Sequence, residues 1–276
     1  MITADSEAFA RSYDRTALRV HHRLQDDPGL TIDALVAFAA SHPEDLVEHN
    51  LGRVDVALPS GDAPRLGGSG ADVLADIAEN GSWMVLKNVE RHPTYGALLD
   101  RLLDGVEPLV PTGEGTKLRR EAFIFVSAPG SVTPAHTDPE HNFLLQIRGG
   151  KTMHVGPFDD ERTRSEALER YYAGNHRNIP QVPTGLEAFE LLPGQGVYVP
   201  PDEPHWVQNG DDVSISLSVT WRTPTTERRS RLWAANHQRR ERGKRARTPG
   251  ESRVHDSVTL ARSRASALRD RLPILS

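Results

Sequence analysis

Three side chains in the middle of the chain have the types and spacing of a metal site. His136 and Asp138 are separated by one residue, so on an extended backbone both point to the same face. His205 follows 67 residues after Asp138, beyond a turn that contains two prolines. Two imidazoles and one carboxylate form the facial ligand set of non-haem Fe(II) sites, which leaves three coordination positions open. A His-x-Asp pair alone is more often structural or superficial, and the distal histidine is what favours a metal.

Lys151 adds a charged group near the same segment. It lies 13 residues after Asp138, beyond one strand-like run and a Gly-Gly turn, so the returning strand can direct it towards the same site. A buried lysine requires an anion, and the far carboxylate of a 2-oxo diacid would supply one. Thr133, in the segment before His136, can donate its hydroxyl to that carboxylate. The alternative is that Lys151 is a solvated turn residue.

The segments that carry these residues are predicted to be short β-strands. Apolar and β-branched runs alternate with turns containing glycine and proline, which is typical of an antiparallel sandwich or barrel. Between 213 and 221, serines alternate with apolar residues with a period of two. A polar, helix-like insertion at 159–178 interrupts the pattern. The predicted strands are 83–89, 122–127, 142–147, 152–155, 188–192, 196–199, 205–208 and 213–221.

Helical patterns flank these strands on both sides. Thr31 is predicted to cap a helix whose apolar stripe includes Leu35 and Phe38, and a second helix is predicted at 93–109. The chain is therefore predicted to have three parts. They are a mainly helical N-terminal region at 1–80, a β-rich domain that carries the site at 81–224, and a basic helical tail at 225–276.

The motifs of the β-rich region resemble those of the JmjC-type cupin oxygenases, which use Fe(II) and 2-oxoglutarate. The likeness covers residues from about 81 to 222 and is strongest to the asparaginyl hydroxylases that act on hypoxia-inducible factor. A turn with two prolines before the distal histidine is also similar. The matching motifs, in order, are Val132-Thr133-Pro134-Ala135-His136-x-Asp138, Asn142-Phe143, Gln146-Ile147 and Gly149-x-Lys151.

The resemblance implies a fold and a reaction. The fold would be mostly β, a double-stranded β-helix (jelly-roll or cupin) barrel with an N-terminal helical layer and C-terminal helices. The cofactors would be Fe(II), the cosubstrate 2-oxoglutarate and O₂. The enzyme would be a dioxygenase that hydroxylates an unactivated C–H of an amino acid, free or within a peptide or protein, and releases succinate and CO₂.

The resemblance also implies roles for individual residues. The catalytic metal ligands would be His136, Asp138 and His205. Lys151 would pair with the C5 carboxylate of 2-oxoglutarate, Thr133 would hydrogen-bond it, and Asn142 would face the cosubstrate. Ser218 is a looser match, at a position near the C1 carboxylate.

Composition excludes several other kinds of chemistry. The chain has no cysteine, which excludes disulfides, thiolate-ligated metals and a thiol nucleophile. No apolar run reaches the roughly 18 residues of a membrane helix. The first residues carry charges where a signal peptide has an apolar stretch. We therefore expect a soluble cytoplasmic protein with no membrane partner.

The net charge of −5 conceals a split along the chain. Residues 1–80 carry 6 basic and 14 acidic side chains, residues 81–221 carry 12 and 19, and residues 222–276 carry 15 and 5. The basic tail is expected to pack on the acidic body of its own or a second subunit, and in the resembling family helices after the barrel form the dimer. A homodimer is thus favoured. Nucleic acid is the less favoured partner, because the tail has little aromatic interleaving.

Three functions stay open on the sequence alone. The first is the hydroxylase described above, and the second is an N-methyl demethylase of the same mechanism, which would release formaldehyde. The third is a non-enzymatic cupin that binds a metal or small ligand and has a regulatory role. A lysine placed to bind a carboxylate argues against the third. The identity of the substrate is not determined by these motifs.

Overall fold

The structure, a computed structural model, describes residues 1–58 and 66–269, with side chains of the last helix described up to residue 263. The strands are β1 Leu18–His21, β2 Val47–Leu51, β3 Ser82–Leu86, β4 Leu118–Ser127, β5 Val132–His136, β6 His141–Arg148, β7 Lys151–Val155, β8 Glu187–Leu191, β9 Gln195–Val199, β10 His205–Asn209 and β11 Ser214–Arg222. The α-helices are α1 Ser6–Ser12, α2 Ile32–Ala39, α3 Gly70–Ala75, α4 Pro93–Val106, α5 Glu161–Tyr172, α6 Pro224–Glu241 and α7 Arg253–Arg269.

The strands form two antiparallel sheets that face each other. The larger sheet has the order β1-β9-β6-β11-β4-β3-β2, and the smaller has the order β5-β10-β7-β8. Sequence neighbours such as β5 and β6 lie in different sheets, so the chain passes repeatedly from one sheet to the other. This is the double-stranded β-helix barrel that the sequence predicts, and the fold prediction is confirmed.

Strand β11 shows why the barrel has a packed outer face and a polar inner face. Its alternate residues Ile215, Leu217 and Val219 are buried in the main hydrophobic core. The residues of opposite parity, Ser218 and Thr220, line a cavity between the sheets. Because side chains alternate across a strand, the period of two in the sequence separates core from cavity directly.

The main core lies between the larger sheet and a layer of N-terminal helices. Helix α4 buries Leu98, Leu99 and Leu102 there, as its helical spacing predicts. Helix α2 starts at the predicted N-cap, where Oγ1 of Thr31 accepts a hydrogen bond of 3.3 Å from the backbone N–H of Ala34. The helical layer leaves the opposite face of the sheet free to form the cavity.

The N-terminal region also contains two strands that the sequence reading missed. Strand β1 pairs with β9 and β2 pairs with β3, so the two strands occupy the opposite edges of the larger sheet. Both are short and carry polar residues, as edge strands often do. Their backbone partners are distant in sequence, so local residue pattern identifies them poorly. The region therefore adds two short edge strands to its helices.

Helices α5 and α6 pack on the outside of the smaller sheet. Leu168 of α5 and Trp233 of α6 are buried with Phe158 and Ile179 in a separate hydrophobic cluster. The tail contains α6 and α7, which are separated by a loop that includes residues 248–250. The last part of the predicted tail, 270–276, lies outside the described residues. Within the described part of the chain, no helix is long and apolar enough to cross a membrane.

Candidate functional site

A cavity of about 790 Å³ opens between the two sheets. Residues from both sheets line it, together with the loop that follows α5. All of the site residues predicted from the sequence contribute to this one lining: Thr133, His136, Asp138, Asn142, Lys151, His205 and Ser218. The topology therefore brings together residues that span 86 positions of the chain.

The two histidines and the aspartate come together because their strands are neighbours. His136 ends β5, His205 begins β10, and the two residues are direct cross-strand partners. Asp138 lies in the loop after β5, and its Oδ2 is 3.5 Å from the Nε2 atom of each histidine. One donor atom from each of the three residues lies within 4.8 Å of the other two. This compact cluster of N and O donors has the composition of a facial triad.

The Nδ1 atoms of both imidazoles are hydrogen-bonded to backbone carbonyls. Nδ1 of His136 lies 2.7 Å from the carbonyl oxygen of Pro134, and Nδ1 of His205 lies 2.9 Å from that of Glu203. A carbonyl oxygen only accepts, so each Nδ1 carries the proton and each Nε2 keeps its lone pair. Both lone pairs are thus available beside Asp138, and the donor set fits a divalent metal ion.

The protonation states also suit a metal. Burial lowers the pKa of His136 to about 4, so its ring is neutral near pH 7. Burial alone would raise the pKa of Asp138. The adjacent positive charge of Arg177 and the contacts with His136 outweigh burial and hold that pKa well below its usual value. A neutral imidazole beside an ionised carboxylate is the state in which these groups bind a cation.

Arg177 is a site residue that the sequence reading missed. It lies in the loop after α5, and its Nη1 donates a hydrogen bond of 2.8 Å to Oδ1 of Asp138. The loop is held against β5 by backbone bonds from Thr137 to Arg177 and from Ile179 to Ala135. Arg177 thereby occupies one carboxylate oxygen and leaves the other facing the histidines. It follows Asp138 by 39 residues in no recognisable motif, and the only available signal was the polar insertion at 159–178.

Lys151 begins β7, which pairs with the strand that begins at His205. Its side chain is buried, with 6% of the residue exposed, and burial lowers its pKa to about 7. Among the described residues, none places a carboxylate within 4.0 Å of the Lys151 amine. A buried amine that faces a cavity without an anionic partner is a favourable position for an anionic ligand.

Asn142 and Ser218 are hydrogen-bonded to each other on the inner face of the larger sheet. Ser218 Oγ donates a bond of 2.7 Å to Asn142 Oδ1, which leaves the amide N–H groups of Asn142 for another acceptor. Thr133 is half-buried in β5, on the opposite side of the cavity. The three side chains offer neutral hydrogen-bonding groups at positions between which a small polar ligand can lie.

The remaining cavity wall contains acids that already have basic partners. Glu140 accepts bonds of 2.9 and 2.6 Å from Arg222, while burial, followed by the charge of Asp138, raises the pKa of Glu140 to about 7. Glu48 forms an ion pair with Lys87. Aromatic side chains complete this part of the wall: Trp83, Phe123 and Phe125. The space therefore combines an apolar surface with paired charges, as ligand pockets commonly do.

The loops that carry the triad are attached to the C-terminal helix α6. The backbone N–H of Asp202 donates a bond of 2.7 Å to the carbonyl of Asp138. Asp202 is buried, and its Oδ2 is 2.9 Å from Nε of Arg229, an ion pair whose alignment is too poor for a hydrogen bond. Arg229 also donates two bonds of 3.0 Å to Asp14. These contacts connect the site with α6 and with the segment that follows α1.

Comparison with known proteins finds similarity that is concentrated in the central region of the chain. Residues 116–228 match the model of the JmjC domain. Jumonji C domain-containing protein 5 of Drosophila melanogaster is 31% identical over 103 residues, which is 33% of this chain and 25% of that protein. Lysine-specific demethylase 8 of Xenopus tropicalis is 28% identical over 102 residues, 33% of this chain and 23% of that protein. The chain thus aligns with about a quarter of the length of these curated relatives.

Solved structures share the fold over nearly the whole chain. One is Escherichia coli YcfD, with a TM-score of 0.54 and 19% identity over 99% of this chain and 70% of that chain. Another is the Escherichia coli ribosomal oxygenase YcfD in complex with cobalt and 2-oxoglutarate. Its TM-score is 0.53 and its identity is 18%, over 99% of this chain and 68% of that chain. At these identities the likeness establishes the common fold.

Proposed function

We propose that this chain, whose residues 116–228 match the model of the JmjC domain, is an Fe(II)- and 2-oxoglutarate-dependent dioxygenase that hydroxylates an amino-acid C–H. One observation carries the proposal. Two lone-pair-bearing imidazoles, one carboxylate and a buried lysine that has no carboxylate partner among the described residues line the same cavity. Such a cavity can hold a metal ion at one position and the far end of a dicarboxylate at another.

In this proposal His136, Asp138 and His205 hold the iron. When bound, iron with 2-oxoglutarate and O₂ supplies the oxidising power for hydroxylation of a C–H bond, with release of succinate and CO₂. The protein side of the site fixes ligand geometry, because carbonyls orient both imidazoles and Arg177 orients the carboxylate. The three donor residues line the cavity, so a metal ion held by them would be within reach of a cosubstrate and a substrate that enter it.

Lys151 and Thr133 bind the C5 carboxylate of 2-oxoglutarate in the same proposal. An ion pair formed by a buried ammonium is stronger than one in water, because the surrounding dielectric constant is lower. Asn142 and Ser218 supply hydrogen bonds on the facing wall. Together these groups would set the orientation of the cosubstrate before the substrate enters.

We assign the substrate to a residue within a protein. The named activity of the structural neighbour, a ribosomal oxygenase, supports a protein substrate. We place the enzyme in the cytoplasm, which the absence of cysteine favours. Homodimerisation through the C-terminal helices is part of the proposal, supported by Val254 and Val258, which lie one turn apart on α7 and are 77% and 43% exposed.

The first test measures metal binding and succinate formation. We expect His136→Ala and Asp138→Ala to weaken Mn(II) binding by the apo-protein and to abolish succinate formation that depends on Fe(II). Lys151→Ala should mainly raise the 2-oxoglutarate concentration required. His154→Ala is the matched control, because that imidazole stacks on Trp206, with ring centroids 4.0 Å apart, and does not line the cavity. Turnover that survives either ligand substitution would contradict the assignment.

A demethylase is the second candidate, favoured by the name of the relative lysine-specific demethylase 8. The same site would hydroxylate an N-methyl carbon, and the product would collapse to formaldehyde. Substrate-stimulated turnover should therefore be screened with proteins, peptides and free amino acids, with and without N-methyl groups. Succinate without formaldehyde supports the hydroxylase, whereas equimolar formaldehyde supports the demethylase.

A further inference from the structure

A dense group of positive charges lies between α6 and α7. The basic loop, residues 242–247, has the sequence Arg-Gly-Lys-Arg-Ala-Arg. Its four cationic residues, Arg242, Lys244, Arg245 and Arg247, are all exposed. Among the described residues, no carboxylate lies within 4.0 Å of any of these four side chains.

The arginines of α6 behave differently. Arg229 pairs with Asp14 and Asp202, and Arg240 donates bonds of 2.9 and 2.8 Å to Glu169 of α5. Two arginines of α6 therefore pair with acids of the body, as the predicted charge balance requires, whereas the cations of the basic loop do not. Since no described residue neutralises these four cations, their charge is available to a partner outside the chain.

The backbone of the basic loop is held in place by the preceding helix. Asn236 Nδ2 donates a bond of 2.7 Å to the carbonyl of Arg247, and Arg239 Nη2 donates one of 2.8 Å to the carbonyl of Arg245. Gly243 ends the helix with φ of +68°, a conformation that favours glycine. Because these contacts order the loop in advance, binding through it costs less conformational entropy than binding through a free tail.

The side chains of the basic loop distinguish between two kinds of acidic partner, an acidic protein and a nucleic acid. Protein interfaces obtain most of their binding free energy from buried aromatic and aliphatic anchors. The basic loop offers none, since its only apolar side chain is Ala246. A phosphodiester backbone requires only cations, and arginine matches phosphate with paired N–H donors.

We propose that the basic loop is a docking surface for the phosphate backbone of a nucleic acid, bound without regard to base sequence. The loop lies beside the insertion that supplies Arg177, since Thr248 Oγ1 donates a bond of 2.8 Å to Glu161 at the start of α5. A nucleic acid bound there would tether the enzyme close to proteins that are themselves associated with nucleic acid. This surface is independent of the metal site, and it does not depend on the proposed reaction.

The test compares two charge-matched variants of the full chain. One replaces the cations of the basic loop by glutamine: R242Q, K244Q, R245Q and R247Q. The other replaces four exposed arginines for which the described residues provide no ion pair: R15Q, R23Q, R91Q and R101Q. Binding of a short single-stranded RNA and of DNA of the same sequence is measured by fluorescence anisotropy over a range of salt concentrations.

We expect the loop variant to lose roughly tenfold or more in affinity for both nucleic acids and the control variant to bind nearly as the wild type does. The slope of log affinity against log salt should become shallower by about 3 in the loop variant, since up to four phosphate contacts are lost. Thermal melting of both variants checks that the fold is intact.

Three results would overturn the proposal. They are wild-type affinity in the loop variant, an equal loss in the control variant, and tighter binding of polyglutamate than of RNA at matched charge. The last result would assign the surface to an acidic protein instead.

Discussion

At the residue scale, the two histidines of the site differ from ordinary buried histidines in how their ring nitrogens are used. Each donates from Nδ1 to the carbonyl of the residue two positions before it, and each directs Nε2 at the same carboxylate oxygen. Burying unpaired polar groups costs free energy, so such an arrangement is costly unless something binds between the three donors. The geometry thus favours a bound cation over a purely structural cluster.

Lys151 carries a prediction about pH. Burial lowers its pKa from 10.5 to about 7, so above pH 7 the empty site is mostly uncharged at this position. Binding of a carboxylate favours the ammonium form and raises the pKa, so the complex must take up a proton. The dissociation constant of 2-oxoglutarate should therefore be flat below pH 7 and rise by up to about tenfold per unit above it.

The measurement is calorimetric titration of the Mn(II)-loaded protein with 2-oxoglutarate at several pH values. Lys151→Arg is the control, because a guanidinium does not titrate in this range and should give a flat profile. An equal pH dependence in both proteins would show that another group is responsible.

At the scale of elements, the barrel strands and the α5 insertion have separate tasks. The strands set the positions of the proposed ligands, because β5 and β10 pair at His136 and His205. The insertion adds Arg177 from outside the strand framework and closes the carboxylate side of the site. Metal retention should accordingly depend on a loop that contributes no metal ligand.

We therefore predict that Arg177→Gln weakens Mn(II) binding by the apo-protein about 10- to 100-fold, the usual cost of losing a partner that orients a ligand. Arg177→Lys should recover part of the loss, since an ammonium can still donate to Oδ1. Arg120→Gln is the control, because Arg120 forms comparable ion pairs with Asp100 and Asp104 away from the cavity. Unchanged metal affinity in Arg177→Gln, measured by equilibrium titration, would refute the positioning role.

At the scale of the whole molecule, the C-terminal tail is part of the folded body. Trp233 is 1% exposed in the cluster outside the smaller sheet, and Arg229 neutralises the buried Asp202 that contacts the loop of Asp138. Losing a buried aromatic side chain costs about 3–5 kcal/mol, and leaving a buried charge unpaired costs a similar amount. Together these losses are comparable with the whole stability of a typical domain.

Two truncations test this dependence. A chain that ends after Arg222 loses both residues and should be insoluble or lack a cooperative melting transition. A chain that ends after Thr248 keeps both, removes only α7, and should melt cooperatively within several degrees of the full chain. Cooperative melting of the shorter chain near the full-length temperature would show that the tail is dispensable for folding.

The local sequence pattern was sufficient to predict much of the barrel. The alternation along β11 and the turn residues between strands predicted an antiparallel barrel, because the side chains of a strand alternate between core and cavity. The spacing of His136 and Asp138 predicted a shared direction on an extended backbone, and the two side chains do meet, although Asp138 lies in the loop after β5. Edge strands β1 and β2 escaped notice, because their partners are distant and their own residues are polar.

By itself, the sequence determined which residues have metal-binding and anion-binding chemistry, since residue type and short spacing are local properties. Only the tertiary structure decided that Lys151 is buried, that Arg177 reaches Asp138, and that neither Lys151 nor the basic loop has a carboxylate partner in the part of the chain that the structure describes. Each of these depends on contacts between segments far apart in sequence. Such contacts are fixed by the packing of the whole chain, which no short motif encodes.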